Sequence, residues 1–354
     1  MTRTLAIERH DGLLWAVIVD GKTATDIYAE PVASPDLTGT ILRAKVTRVL
    51  PGQNAAIVNW GDKQEGYWSD AKNARAGDWV TLQVKTGAWA DKLPQLAADI
   101  ALAGRFLIHL PHGKSIKKSR RAGTVAALPS GLPGGWIVRR HAAQATATQL
   151  RHEADALVRQ GESLRAPDNR AAILSLRPVW QRAVIDHGAA LRAITVPDAA
   201  TEKAVRMWFD VFAPDLAGHV RRGSGAVDID ALRQNAAAAV MTMPQGVGLS
   251  IEPTRAFWAC DVDAGALQNH LQANILALRE LARQMRLRNM GGMIIVDCIT
   301  LHTAADRQKL LAAARAAVAD DPAGVEVFGL TKLGLLEMTR QRRGPSIMEL
   351  CHDS

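Results

Sequence analysis

Apolar residues recur at a period of two from the start of the chain. Over residues 3–30 the alternation breaks at Asp11-Gly12 and Asp20-Gly21, and Asp-Gly is a strong hairpin signal. The pattern predicts a β-meander, with Pro31 to Pro35 as a linker. Residues 39–87 predict a second group of strands: Ile41 to Leu50, Ala55 to Trp60, Glu65 to Trp68 and Trp79 to Lys85, with turns at Pro51-Gly52 and Gly61-Asp62. Short strands at near-regular spacing point to a small barrel of OB type. Helical spacing predicts a helix over roughly 142–163, with Leu150, Ala154 and Leu157 on one face. Strands are then predicted at Val184 to Asp186 and Leu191 to Val196. A helix follows from Asp198 through Phe209, a loop over Val220 to Gly225, and an alanine-rich helix over 229–240.

The last third carries the most informative pattern. Gly246 to Glu252 reads as a turn and strand. A short apolar run then ends in Asp261 and Asp263, and a second, starting at Gly291, ends in Asp297. Between them Leu267, Leu271, Ile275, Leu278, Ala282 and Met285 recur at helical spacing. Strand, helix, strand is a right-handed crossover between parallel strands, which brings both carboxyl ends to one sheet edge. Ligand sites in open α/β sheets lie at that edge. Alternation turns Asp261 and Asp263 the same way. Three carboxylates converging there suit magnesium or manganese; the plainer alternative is that such acids cap the next turn. Beyond Asp297 the pattern predicts a helix over 304–319, a strand over 325–330 and a helix from Leu333 to Arg343, stopped by Gly344-Pro345.

Charge sharpens this picture. The 354 residues, 48% of them hydrophobic, allow two or three globular domains. A formal net charge of +8 favours anionic partners, nucleic acid before a membrane surface. Arg279, Arg283 and Arg286 fall off the apolar stripe of the crossover helix, with Arg288 close behind. An arginine face beside a metal site suits a phosphodiester, although a solvated helix face has the same pattern. Trp60, Tyr67, Trp68, Trp79 and Trp89 fall in or beside the barrel with Lys45, Arg48, Lys63 and Lys85. Such a mixture stacks bases and holds phosphates, and ordinary burial competes for about half of these aromatics. Lys114, Lys117, Lys118, Arg120 and Arg121 form a cationic run, whose plainest reading is a mobile, solvated stretch. Arg139 and Arg140 end a predicted strand. Cys260, Cys298 and Cys351 lack paired spacing, which argues against a disulfide framework or a structural zinc and for a reducing cytoplasm. Strand alternation makes Cys260 and Cys298 core thiols. The N-terminus lacks a signal-type apolar run, and no stretch is apolar enough to span a bilayer.

Taken together, these segments resemble the catalytic half of the ribonuclease E/G family. The resemblance is carried by Val46 to Gly61, Gly104 to Pro111 with Ser119 to Arg121, Ala259 to Gly265, Ala282 to Asp297, and Gly334 to Arg342 with Pro345-Ser346, in the family's order. It implies an α/β and α+β multidomain architecture. An RNase H-like subdomain would be split between residues 1–35 and 177–230. An OB-fold RNA-binding barrel over 36–103 and a 5′-sensor region over 104–176 would be inserted in it, and a DNase I-like catalytic subdomain would span 231–354. It also implies metal-dependent cleavage of single-stranded RNA to 5′-phosphate and 3′-hydroxyl ends. Asp261 and Asp297 would hold Mg²⁺, with Mn²⁺ as substitute, and Asp263 stands where the family usually has Asn. Arg139 stands at the 5′-monophosphate-binding position, with Arg140 in place of a Thr. Expected RNA contacts are Tyr67, Trp68, Lys45, Lys117, Lys118, Arg120, Arg121, Arg279, Arg283 and Arg286. Departures are the short loop Ala264 to Gln272, Thr300 where an Asp is usual, Ile57 for a stacking Phe, and Lys92 alone in a segment without the lysine-glycine pattern. The chain ends where a zinc-link cysteine pair would follow, so any homo-oligomer is expected not to be zinc-linked. The alternative expectation is an RNA-binding protein of the same fold that has lost cleavage.

Overall fold

A computed structural model describes residues 3–62, 64–88, 92–119, 122–123, 131–164 and 168–352. Backbone contacts divide the chain into two compact units, Met1–Lys22 with Glu30–Ala226, and Thr23–Ala29 with Val227–Ser354.

The first unit opens on the hairpin β1 (Arg3–His10) and β2 (Leu13–Asp20). Asp11 and Gly12 both take positive φ, 47° and 70°, as a tight primed turn requires. Strand β3 (Thr23–Pro31) comes next in the chain, its residues 23–29 belonging to the second unit; the first unit resumes with β4 (Ile41–Leu50), β5 (Ala55–Gly61), β6 (Gln64–Trp68), β7 (Trp79–Thr86) and β8 (Gln95–Ala97). The last five run in the order β4-β5-β6-β8-β7, and β7 pairs back onto β4. That pairing closes a five-stranded, OB-like barrel around Leu42, Val46, Val58, Trp60, Leu82 and Leu96. Closure removes the unpaired strand edges.

A four-stranded sheet comes next. It contains β9 (Leu102–Ala103), β10 (Leu107–Leu110), β11 (Ile116–Lys118) and β12 (Gly135–Val138), in the order β11-β12-β10-β9. Helix α1 (Ala147–Ser163) starts at a reciprocal capping box between Thr146 and Gln149. From α1 the buried Glu153 accepts backbone N–H bonds from Arg105, Phe106 and Leu107, each 2.8 Å long. Burial raises the pKa of Glu153, and the three donors and Arg105 oppose that rise.

The unit ends with β13 (Ala172–Ser175), α2 (Val179–His187), β14 (Leu191–Val196), α3 (Ala199–Phe212), α4 (Pro214–Ala217) and β15 (Val220–Arg222). Strands β15, β14, β1 and β2 are neighbours in that order, β14 parallel to both β15 and β1. Val184 to Asp186, expected as a strand, are helical. Pro178 occupies the N-cap of α2, and all but one of its residues are buried. An apolar run of that length does not separate strand from buried helix. The expected loop at Val220 begins as the short strand β15.

The second unit contains α5 (Ile229–Ala237), β16 (Val240–Thr242), β17 (Gly248–Pro253), β18 (Phe257–Asp263), α6 (His270–Leu287), β19 (Gly292–Asp297), α7 (Ala304–Ala317), β20 (Val325–Leu330), β21 (Leu335–Arg340) and α8 (Ile347–His352). Its sheet has the order β16-β17-β18-β19-β21-β20. Strands β18 and β19 are parallel, joined by α6 as the crossover, and their neighbours run antiparallel. Trp258, Cys260, Val262, Ile294, Val296, Leu336 and Met338 point to one face, which α6 and α7 cover with Leu278, Leu281, Met285 and Leu310. Residues 335–340, expected as a helix, form β21. Leu336, Met338 and Arg340 are buried and Glu337 between them is exposed, which is a period of two.

Candidate active site

Asp261 and Asp297 are Cα partners across the parallel pair β18–β19. Partners in register project to the same side of a sheet. The intervening residues Cys260, Val262 and Val296 fill the core, so both aspartates stand on the opposite, open face, and both are exposed. The crossover thus assembles two carboxylates from strands separated by a whole helix. Two adjacent anionic oxygen donors, open to solvent, fit a hard divalent cation.

Asp263 shares that face but is engaged differently. Its Oδ1 accepts the backbone N–H of Gly265 at 2.8 Å, the turn-capping alternative open at the sequence level. Gly265 has φ +55°, and a Cβ there would meet Gly246 O at 2.2 Å. Only glycine fits that approach. Among the described residues, Asp261, Asp263 and Asp297 do not gather their oxygens into a single three-ligand cluster.

The turn after Asp297 is fixed from beneath. Asn274 on α6 is fully buried; its Nδ2 donates to Ile299 O at 2.9 Å, and its Oδ1 accepts from Ile299 N at 3.0 Å. Sequence reading passed over Asn274, although a polar residue inside the apolar stripe of α6 was a usable signal. It also passed over Glu252 and Glu337, the partners of Ala259 and Ile295 on the strands flanking the open face. Glu337 was hidden by the reading of β21 as a helix.

The arginines of α6 are not brought to the carboxylates, because α6 lies under the buried face. Arg283 pairs with Glu280 at 2.7 Å and donates to Ala24 O. Arg286 pairs with Asp26 at 3.2 Å and donates to Thr25 O. Arg279 is exposed. Arg288 is fully buried and donates to Gln284 and Ala238 O. Cys260 and Cys298 are core thiols whose pKa burial pushes up to about 12.

On the first unit's barrel, Tyr67 is half-buried, and its hydroxyl donates to Gln53 at 3.3 Å. Its Cα partner Ile57 is buried. Trp68 packs against the barrel core, so its ring is largely structural. Lys45 is exposed, the Cα partner of Asn59 and of Trp79. Lys117 and Lys118 are exposed on β11. Lys63, Trp89, Arg120 and Arg121 lie outside the described residues.

Arg139 follows β12. Its guanidinium donates to Gly104 O, to Ile185 O at 2.8 Å, and to the fully buried Asp186 carboxylate at 3.1 Å. Arg140 Nε donates to His141 Nε2 at 2.9 Å. Burial first, then the charges of Arg140 and Arg139, lower the His141 pKa to about 4.

A model described as "Ribonuclease E/G family" matches residues 101–343. Ribonuclease G of Escherichia coli is 27% identical over 95% of this chain and 79% of its own length. Ribonuclease E of Nostoc is 30% identical over 89% of this chain and 53% of its own. Ribonuclease G of Haemophilus influenzae is 26% identical over 95% of this chain and 79% of its own.

Proposed function

The chain belongs to the ribonuclease E/G family, and from that premise we propose that it is an endoribonuclease acting in RNA processing or decay. It cleaves single-stranded RNA to 5′-phosphate and 3′-hydroxyl ends. The observation that carries the proposal is the register of Asp261 with Asp297 on an open sheet face.

In this reading Asp261 and Asp297 hold Mg²⁺, for which Mn²⁺ substitutes. When bound, the ion supplies positive charge to a phosphate oxygen and makes a water more acidic. The protein's own part is placement. Asn274 fixes the chain beyond Asp297 through Ile299. Asp263 keeps one oxygen on Gly265 N and leaves the other to orient a water. Because α6 covers the face opposite the carboxylates, Arg283 and Arg286 serve the fold through Glu280 and Asp26, and the exposed Arg279 is left as a contact to RNA away from the scissile phosphate. Tyr67 and Lys45 on the barrel, with Lys117 and Lys118, are the proposed contacts to the rest of the RNA. Arg139, with Arg140 beside it, is the proposed reader of a 5′-phosphate. The division into RNase H-like, OB, sensor and DNase I-like parts belongs to the same proposal. So does a cytoplasmic location. No helix among the described residues is long and apolar enough to cross a membrane.

The test is one incubation of labelled, unstructured RNA with Mg²⁺, Mn²⁺ or EDTA. Metal-dependent fragments, lost in Asp261→Asn and in Asp297→Asn, are expected. A mobility shift without fragments would instead support an RNA-binding protein that does not cut. The engagement of Asp263 with its turn, and Ile57 buried where a stacking aromatic was expected, favour that second reading.

A further inference from the structure

The open face of the second unit's sheet continues beyond the carboxylates. Phe257 precedes Asp261 by four residues on β18, Met293 precedes Asp297 by four on β19, and the two are Cα partners. Alternation puts them on the same face as the aspartates. They are 37% and 48% exposed, while their neighbours Trp258 and Ile294 are buried. Between the two pairs lie Ala259 and Ile295, both half-buried. A strip therefore runs from an apolar pair to an acidic pair, about 13 Å long at ~3.3 Å per residue.

The charges along the strip are ordered. Glu252 and Glu337 flank its middle as partners of Ala259 and Ile295. Arg255 is exposed two residues before Phe257. Arg342 Nη2 donates to Gly291 O at 3.4 Å, beside the start of β19. Acids thus border the centre, and arginines stand at the apolar end.

We propose that Phe257 and Met293 form a base-stacking platform for substrate RNA, roughly two nucleotides of extended strand from the scissile phosphate. This rests on the reading of Asp261 and Asp297 as the cleavage site. Every base has a π-face, so an exposed aromatic ring stacks any of them. The thioether of Met293 adapts to whatever lies beside the ring. The two glutamates repel phosphates from the middle of the strip, so the strand crosses it with bases turned inward over Ala259 and Ile295. Arg255 then meets the backbone at the far end. A second copy of this chain covering the strip is the rival occupant.

The experiment walks a single abasic nucleotide through a labelled RNA that the parent protein cuts with Mg²⁺. In the parent, the abasic site about two nucleotides from the cut raises KM about tenfold, the scale of one lost stack. Phe257→Ala raises KM on intact RNA by a similar factor, changes kcat much less, and flattens the abasic profile. Met293→Ala acts in the same direction more weakly. Both side chains are exposed, and circular dichroism checks that each variant folds. An abasic profile that Phe257→Ala leaves intact overturns the platform and leaves the cleavage reading standing. A parent that never cuts overturns that reading, and the platform with it. If light scattering shows the parent as a dimer that Phe257→Ala dissociates, with the profile unaltered, a second copy covers the strip and the platform is overturned.

Discussion

Asn274 grips Ile299 by both backbone groups, N–H and C=O, two residues beyond Asp297. The Asn274 side chain is fully buried. Asn274→Leu leaves two backbone groups unpaired at a cost of about 1–3 kcal/mol. Thermal unfolding should show that loss. Weaker apparent Mg²⁺ affinity in cleavage, seen as a raised half-saturating concentration, should accompany it. A variant that loses stability but keeps its metal response would limit Asn274 to the fold.

Asp261 and Asp297 place two like charges side by side on neighbouring strands. Without metal this arrangement is mildly destabilising. Asp297→Asn should therefore raise the metal-free melting temperature while lowering cleavage by about a hundredfold or more. Mg²⁺ at about a hundred times its Kd should stabilise the parent by about 2.7 kcal/mol and the variant far less. Calorimetry with and without EDTA reads both effects, and equal stabilisation of parent and variant would remove the metal from this pair.

Arg139 closes over Asp186, whose side chain is fully buried. Arg139→Ala strips a partner from that charge, and breaking such a pair costs about 3 kcal/mol. The melting temperature should fall. If Arg139 also reads the RNA 5′ end, the ratio of cleavage rates on 5′-monophosphate and 5′-hydroxyl RNA should fall towards one in the same variant. An undiminished ratio in a folded Arg139→Ala protein would remove the sensing role and keep the structural one.

His141 accepts from Arg140 Nε, which requires a neutral ring nitrogen. Its folded pKa is held down to about 4, while the unfolded ring titrates near 6.5. Between those values the unfolded chain binds the extra proton, so stability rises with pH through the window and is lost as pH falls through it. The melting temperature of the parent should drop from pH 6.5 to pH 4. His141→Gln, which keeps an acceptor but cannot titrate, should flatten that slope.

Much of the sheet chemistry was readable before the fold was known. Apolar runs ending in Asp261 and Asp297, joined by a stretch of helical period, described β18, α6 and β19 and their shared edge. The Asp11-Gly12 turn placed the first hairpin in the same way. The failures have a common cause. Val184 to Asp186 and Leu335 to Arg340 are segments too short for apolar spacing to separate helix from strand, and tertiary burial decided each, all round in α2 and on alternate residues in β21. The α6 arginines failed differently. Their spacing was right, but which face of the sheet the helix covers depends on packing, and Asp26 and Glu280 had already engaged two of them. Phe257 and Met293 could not be singled out, because an exposed pair is legible only once the register between the strands is known.

Asp26 and Thr25 meet Arg286 across a sequence gap of about 261 residues, within the unit that carries the carboxylates. During synthesis the early segment leaves the ribosome long before its partner helix exists. The unit that carries Asp261 and Asp297 therefore cannot be completed domain by domain from one end. A fragment cut at residue 227 would carry both aspartates yet lack the strand that Arg283 and Arg286 grip, so any minimal nuclease trimmed from this chain must bring residues 23–29 with it.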